Sequence, residues 1–235
     1  MSRLLLTSLH KSGTAMLTQA IGDGLVFNGM VDWKDKHPHP YCIEQFDNFD
    51  RFARAHMPHA SEYVEIFREK GIKTIFLYRD LRDTIVSWAY WIDKIKDYKG
   101  WINLEIDQGK VRLEDLSIPN RINAILDVAE KNYSRYVGWL DTPDDIVFKL
   151  CYEDMRDDRE KTFLTLIEWM GKDLADKMGC PIPWVMINRI DPQNCSTFRH
   201  GIIGDWKNHF TEENIELFWT TCGYLMEKFG YEKLS

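Results

Sequence analysis

The chain has 235 residues, 44% hydrophobic and 29% charged, with a formal net charge of −7. That size suits one α/β domain with a sizeable core, here taken as residues 1–235. The acidic balance argues against wholesale binding of nucleic acid or an anionic membrane, and it leaves room for a local basic pocket.

Five cysteines (Cys42, Cys151, Cys180, Cys195, Cys222) show no CxxC pair. They fit free thiols in a reducing compartment better than a disulfide framework or a zinc site. No apolar run approaches the length of a membrane span, and Leu4–Leu9 is too short for a signal peptide. A soluble, cytoplasmic protein is expected.

Leu4-Leu5-Leu6-Thr7-Ser8-Leu9 runs into His10-Lys11-Ser12-Gly13-Thr14-Ala15-Met16-Leu17. An apolar run, a basic residue, a small flexible triplet and a helical pattern read as strand, tight loop and helix. The first N–H groups of a helix lack internal partners and its positive dipole end faces the loop, so an anion can sit there. Ser12 and Gly13 let the backbone approach closely, Ser12 and Thr14 add hydroxyl donors, and Lys11 adds a full charge. The ligand so described is a phosphate or a relative of phosphate. The loop is not a Walker A motif, because Lys11 precedes the glycine. An ordinary strand-to-helix turn remains the alternative at this point.

The first helix is predicted over Thr14–Ile21, closed by Gly22-Asp23-Gly24. Trp33–Pro40 reads as a solvated loop, since His37-Pro38-His39-Pro40 lacks a third metal ligand. Phe52-Ala53-Arg54-Ala55-His56 suggests a short strand stopped by Pro58. Ser61–Lys70 reads as a helix with Ser61 as N-cap and Gly71 as its stop. Thr74–Tyr78 is a buried strand. Arg79–Asp83 follows as a charged loop, and a helix is expected over Thr84–Tyr98, with Ile85, Trp88, Ala89, Ile92 and Ile95 on one face.

Leu113–Leu140 is expected to be mostly helical, Asp145–Cys151 a strand, and Asp157–Met170 a helix closed by Gly171. Residues 172–198 read as irregular. Thr211–Phe229 is the last helix, with Thr211 as N-cap and Glu213 or Asn214 near the capping-box position. Strands alternating with helices imply a parallel sheet with right-handed crossovers. Ligands of such sheets bind beyond the carboxyl ends of the strands, where the first loop and Arg79 would lie.

Two further stretches carry chemistry. Arg79 leaves a strand end and Ser87 lies in the helix that follows, so a guanidinium and a hydroxyl near one loop suggest a second oxyanion site. The alternative is surface pairing among Arg79, Asp80, Arg82 and Asp83. In Thr197-Phe198-Arg199-His200-Gly201-Ile202-Ile203-Gly204-Asp205-Trp206-Lys207-Asn208, two glycines among basic residues suggest a loop folded around an anion.

Together these stretches resemble the cytosolic-type sulfotransferases, which transfer a sulfuryl group from 3′-phosphoadenosine 5′-phosphosulfate (PAPS) and release PAP. Lys11-Ser12-Gly13-Thr14 matches the family's 5′-phosphosulfate loop, and Arg79 with Ser87 matches its 3′-phosphate motif. Arg199-His200-Gly201 and Gly204-Asp205-Trp206-Lys207 resemble its late Arg-Lys-Gly…Gly-Asp-Trp-Lys motif. Tyr152-Glu153-Asp154-Met155 resembles the segment whose Tyr contacts adenine. Arg54-Ala55-His56-Met57-Pro58 resembles the segment that supplies the catalytic His.

The resemblance implies an α/β P-loop-like sulfotransferase fold with a mainly parallel central sheet flanked by helices. It assigns Lys11, Ser12, Gly13, Thr14, Ala15 and Met16 to the phosphosulfate side, and Arg79, Ser87, Arg199, His200 and Gly201 to the 3′-phosphate. Tyr152 would contact adenine, His56 would be the base, and Lys11 would address the bridging oxygen. The acceptor would be a small molecule with a hydroxyl or an amine.

A sulfuryl group carries one negative charge, so a Mg²⁺ clamp is less needed than in kinases, and the sequence has no acidic metal motif. His10 stands where the family often has Pro, Ala15-Met16 where it has Thr-Trp, and His200 where it has Lys. Met16 is left to pack on the base. The stretch from Lys207 to Glu216 resembles the family's dimer motif, with Glu212 in place of Val, so a homodimer and a monomer both stay open. A P-loop small-molecule kinase and a non-catalytic nucleotide-binding protein are the competing readings.

Overall fold

The computed structural model describes residues 3–22, 25–26, 51–94, 113–195 and 199–232. In chain order, β1 (Arg3–Ser8) leads into α1 (Thr14–Ile21), then β2 (Leu25–Val26), β3 (Phe52–Ala55), α2 (Ser61–Lys70) and β4 (Ile72–Tyr78). Next come α3 (Leu81–Trp91), α4 (Ile118–Tyr133), β5 (Val147–Cys151) and α5 (Tyr152–Asp157). They are followed by α6 (Arg159–Met170), α7 (Lys172–Met178), α8 (Pro183–Arg189) and α9 (Glu212–Lys228). The chain divides into two compact units, one of Met1–Arg79 with Gly138–Phe198, the other of Asp80–Val137 with Arg199–Ser235.

The first unit is built on a five-stranded sheet in the order β2-β3-β1-β4-β5, with every pairing parallel. Its central strand is apolar without alternation because both faces are covered: Leu4, Leu5 and Leu6 are all fully buried. Leu4, Leu6, Ile75, Leu77 and Leu150 join Leu17, Ile21, Phe163 and Leu166 of the helices in one core. Each such side chain contributes about 1.5–3 kcal/mol by leaving water. Elsewhere in this unit Phe67 of α2 stacks between Tyr63 at 5.9 Å and Trp139 at 6.1 Å. Trp139 Nε1 donates to the Met57 carbonyl at 2.9 Å.

The register aligns Thr7 with Ala55, Ser8 with Leu77 and Tyr78 with Cys151. All strands point the same way, so the loop after β1, His56, Arg79 and Tyr152 leave one edge of the sheet. This is the edge the parallel topology predicted for ligands.

In the second unit α3 packs on α4 and α4 on α9. Arg121 of α4 knits this unit together by donating to the carbonyls of Ala89 (3.0 Å), Leu116 (3.0 Å) and Glu114 (2.7 Å). Thr211 and Asn214 form a reciprocal capping box at the start of α9, which settles the capping partner as Asn214.

Several boundaries differ from expectation. Ser61 is the first helical residue and Ala60 the uncapped N-cap of α2. Arg79–Asp83 is not a charged loop: α3 begins at Leu81, because the Asp80 carboxylate accepts the Arg82 N–H at 2.8 Å and caps it. The helix expected over 157–170 is broken at Asp158, whose side chain caps α6 through the Lys161 N–H at 3.0 Å. The stretch read as irregular over 172–198 carries two helices: Gly171 and Gly179 bracket α7, and Pro183 opens α8, while residues 196–198 lie outside the described residues. Pro at a helix start loses no intrahelical bond, so it marked a beginning and not a loop. Trp33–Pro40, Ile95–Tyr98 and Cys42 lie outside the described residues. Among the described residues no helix is long and apolar enough to cross a membrane.

Candidate active site

The loop between β1 and α1 is held by its own side chains. Ser12 is fully buried and its hydroxyl donates to the Leu9 carbonyl at 2.7 Å, with the Leu77 carbonyl at 3.3 Å. That hydroxyl is therefore turned inward to close the loop, where the sequence suggested a donor to the anion. Lys11 has φ 62, the one positive value at a non-glycine among the described residues. Such a conformation costs on the order of 1–3 kcal/mol and persists where its surroundings over-determine it. Gly13, at φ 97 and ψ 17, is the N-cap of α1, with no side-chain cap and no acidic residue in the first turn. The helix end that faces the loop is thus open to an anion. Ala15 is half-buried in this first turn. Met16 is 8% exposed and belongs to the core, so little of it is left to pack on a base.

His56 follows β3, one residue past the strand. Its Nδ1 lies 2.9 Å from the Ser8 carbonyl and 3.1 Å from the Ser8 hydroxyl. A carbonyl only accepts, so Nδ1 carries the proton and Nε2 is the basic nitrogen. The Ser8 hydroxyl also meets the Thr14 hydroxyl at 2.8 Å. With Ser8 donating to Thr14, the Thr14 hydrogen is left for the loop's ligand. His10 lies against the His56 ring, centroids 3.9 Å apart and tilted by 31°.

Burial pushes His56 down, the Ser8 bond pushes it up, and the charges of Arg54 and Lys11 push it further down, to about 4. His10 is also well below its ordinary value, first through burial and then through His56 and Lys11. His56 is therefore neutral at neutral pH and ready to accept a proton.

A pH dependence follows. Between about pH 6.5 and 4 the unfolded chain binds protons that folded His56 and His10 refuse, so stability is full above that window and falls as pH drops through it. Thermal unfolding across the window is expected to show a smaller loss for His56→Phe than for the wild-type protein. An equal loss would place the titrating groups elsewhere.

Arg79 and Tyr152 leave adjacent strand ends together. The Arg79 guanidinium lies 4.3 Å over the Tyr152 ring. Tyr152 is 4% exposed, and a Cβ on Gly13 would come within 2.6 and 2.7 Å of its ring carbons. Tyr152 thus packs under the loop and under Arg79. This contact joins two stretches that the sequence treated separately.

In the second unit, Ser87 is half-buried on α3. Arg199 pairs with Asp205 and lies 4.6 Å over the Tyr90 ring. His209 Nε2 is 3.3 Å from the same carboxylate. Burial raises Asp205, while Asn208, Arg199 and His209 lower it, and the net places it below the ordinary carboxylate range. His200 is exposed, and Gly201 has φ 63. The Asp80–Arg82 pair, for which surface pairing was the alternative, is buried, with both side chains 10% exposed or less. Ser8, Asp83 and Asp205 stand within the stretches quoted from sequence but have no role at the site there. The available signal was a polar residue closing an apolar strand and carboxylates inside helical first turns.

The parallel α/β sheet thus presents an open helix end and a neutral histidine at its carboxyl edge. The sulfotransferase domain model matches residues 1–179, and the chain belongs to the cytosolic-type sulfotransferase family. It is 25% identical over 193 residues to sulfotransferase 1E1 of Rattus norvegicus, an alignment covering 72% of this chain and 59% of that one. It is 24% identical over 243 residues to sulfotransferase 2A6 of Mus musculus, covering 92% of this chain and 81% of that one. Mouse sulfotransferase SULT7A1, solved with PAP, has the same fold, with a TM-score of 0.61, 18% identity and coverage of 97% and 88%. Retinol dehydratase, solved with retinol and PAP, superposes with a TM-score of 0.56 and 14% identity, covering 99% of this chain and 82% of that one.

Proposed function

We propose that the protein transfers the sulfuryl group of PAPS to a hydroxyl or amine of a small-molecule acceptor, with residues 1–235 working as one sulfotransferase domain. The observation that carries this reading is the hydrogen-bonded line from His56 Nδ1 through Ser8 to Thr14, which joins a neutral imidazole to an open helix end. PAPS would supply the transferable group and, in PAP, a good leaving group.

The chain's residues then have separate tasks. His56 Nε2 takes the proton of the acceptor as the new sulfur–oxygen or sulfur–nitrogen bond forms. Lys11 stabilises the charge that gathers on the oxygen of the bond that breaks. Thr14 and the first backbone N–H groups of α1 hold the sulfuryl oxygens in line. Arg79, Ser87, Arg199, His200 and Gly201 take the 3′-phosphate, and Tyr152 contacts the adenine while its ring packs against Arg79 and the Gly13 loop. The relatives' complexes with PAP, and with retinol in one case, support a nucleotide and a small acceptor here as well.

Labelled PAPS offered with a panel of phenols, alcohols and amines tests the reading. Transfer to one class of acceptor, with release of PAP, is expected. Tighter binding of ATP–Mg²⁺ than of PAPS would favour a kinase, and tight PAP binding without transfer to any acceptor would favour a nucleotide-binding protein. Arg79→Ala is expected to weaken PAP by about 1.5–3 kcal/mol, the worth of a charge-assisted contact, in a calorimetric titration. Unchanged PAP affinity in that variant would remove Arg79 from the 3′-phosphate site.

A further inference from the structure

The first turn of α3 carries two side chains that grip the turn at 204–206. Asp83 is 1% exposed. Its Oδ2 accepts the Gly204 N–H at 2.8 Å and its Oδ1 accepts the Trp206 N–H at 2.9 Å. Arg82, paired with Asp80, lies 4.2 Å over the Trp206 ring. Gly204 has φ 77 and ψ 13, a left-handed conformation that a side chain would resist.

Asp205 sits between the two pinned N–H groups, so its direction is set by the bonds on either side of it. Its carboxylate pairs with Arg199 and accepts from Asn208 Nδ2 at 3.1 Å. Arg199 then lies across Tyr90, whose hydroxyl is 3.3 Å from His209 Nδ1. A continuous line of contacts inside the second unit thus runs from Asp83 through the 204–206 turn and Asp205 to Arg199.

We propose that Asp83 is a positioning residue for recognition of the nucleotide's 3′-phosphate: it holds the turn that aims Asp205, and Asp205 holds Arg199 ready for the anion. Asp83 itself meets backbone and not ligand. The inference rests on the reading of Arg199–Gly201 as the 3′-phosphate loop. Only a carboxylate suits the position, because it offers an acceptor oxygen to each N–H, whereas an amide would turn a donor towards one of them.

The test compares adenosine 3′,5′-bisphosphate with adenosine 5′-monophosphate, which lacks the 3′-phosphate, by calorimetric titration of the full chain. Wild-type protein is expected to prefer the bisphosphate. Asp83→Asn is expected to weaken the bisphosphate by roughly tenfold or more and to leave the monophosphate unchanged, so that the preference collapses. A retained preference would overturn the proposal, and so would equal weakening of both nucleotides, which marks a merely structural role.

If Asp83→Asn does not fold, Asp205→Asn carries the test. It leaves the Asp83 bonds in place and weakens what the Asp205 carboxylate holds, Arg199 together with Asn208 and His209. It too should lose preference for the bisphosphate, and a retained or increased preference would overturn the chain of positioning. A wild-type protein without preference for the 3′-phosphate would overturn the functional reading itself, before any variant is considered.

Discussion

His56→Ala is expected to lower turnover by roughly 10²–10⁴-fold while leaving PAP affinity unchanged. The separation follows from where the ring sits. His56 contacts Ser8 and the His10 ring at the start of the loop, while the loop's closure by Ser12 and its Gly13 turn rest on other bonds and survive the loss. On the proposed reading, the missing imidazole removes the acceptor's proton sink and no group assigned to the nucleotide.

The same geometry predicts the wild-type pH profile. With His56 at about 4, turnover limited by this base stays level as pH falls through 6.5 and drops only on approach to 4. A fall centred near the ordinary histidine value would mean that His56 is more hydrated during catalysis than in the free protein. Normal turnover in His56→Ala, measured with labelled PAPS and an accepted substrate, would take the base away from His56. His56→Gln separates packing from chemistry. It fills part of the same space and can bond Ser8 but offers no basic nitrogen, so it should be as slow as the alanine variant.

Much of this site was legible in the residues. A continuous apolar run that ends in Lys-Ser-Gly-Thr specifies strand, loop and helix locally: α1 has the expected bounds, and β1 lies one residue ahead of the Leu4–Leu9 run. The parallel sheet followed from alternating elements, and with it the edge where the loop, His56, Arg79 and Tyr152 emerge. What failed to show was whatever depends on a partner far along the chain.

His56 gains its tautomer from Ser8, 48 residues away, through the pairing of β1 with β3. Asp80, Arg82 and Asp83 looked like surface charges because their spacing says nothing about what covers them. The backbone N–H groups that bond to Asp83 are 121 and 123 positions away. Met16 shows the opposite case. The family resemblance assigns it to the nucleotide, and its spacing with Leu17, Ala20 and Ile21 also places it in the core.

Gly13→Ala is expected to be the most damaging small substitution in the loop. Two costs combine at this position. The backbone is left-handed at φ 97, which charges a residue with a Cβ about 1–2 kcal/mol. The added Cβ also meets Tyr152 ring carbons at 2.6 and 2.7 Å, closer than any real contact. Overpacking of this kind costs typically about 1–3 kcal/mol.

The ring cannot simply step aside, because Arg79 lies on it and Met155 Cε is within 3.7 Å of the same Cβ. Either the loop lifts from the sheet edge or Tyr152 shifts and carries Arg79 with it. Both displace groups proposed to hold the nucleotide, so PAP affinity and turnover should fall together with the unfolding temperature. A double-mutant cycle with Tyr152→Leu distinguishes the two costs. Removing the ring should recover the steric part of the Gly13→Ala loss and leave the left-handed backbone part. Strictly additive losses would show that the Tyr152 ring is not what makes glycine necessary, and would leave the φ of Gly13 as the whole reason.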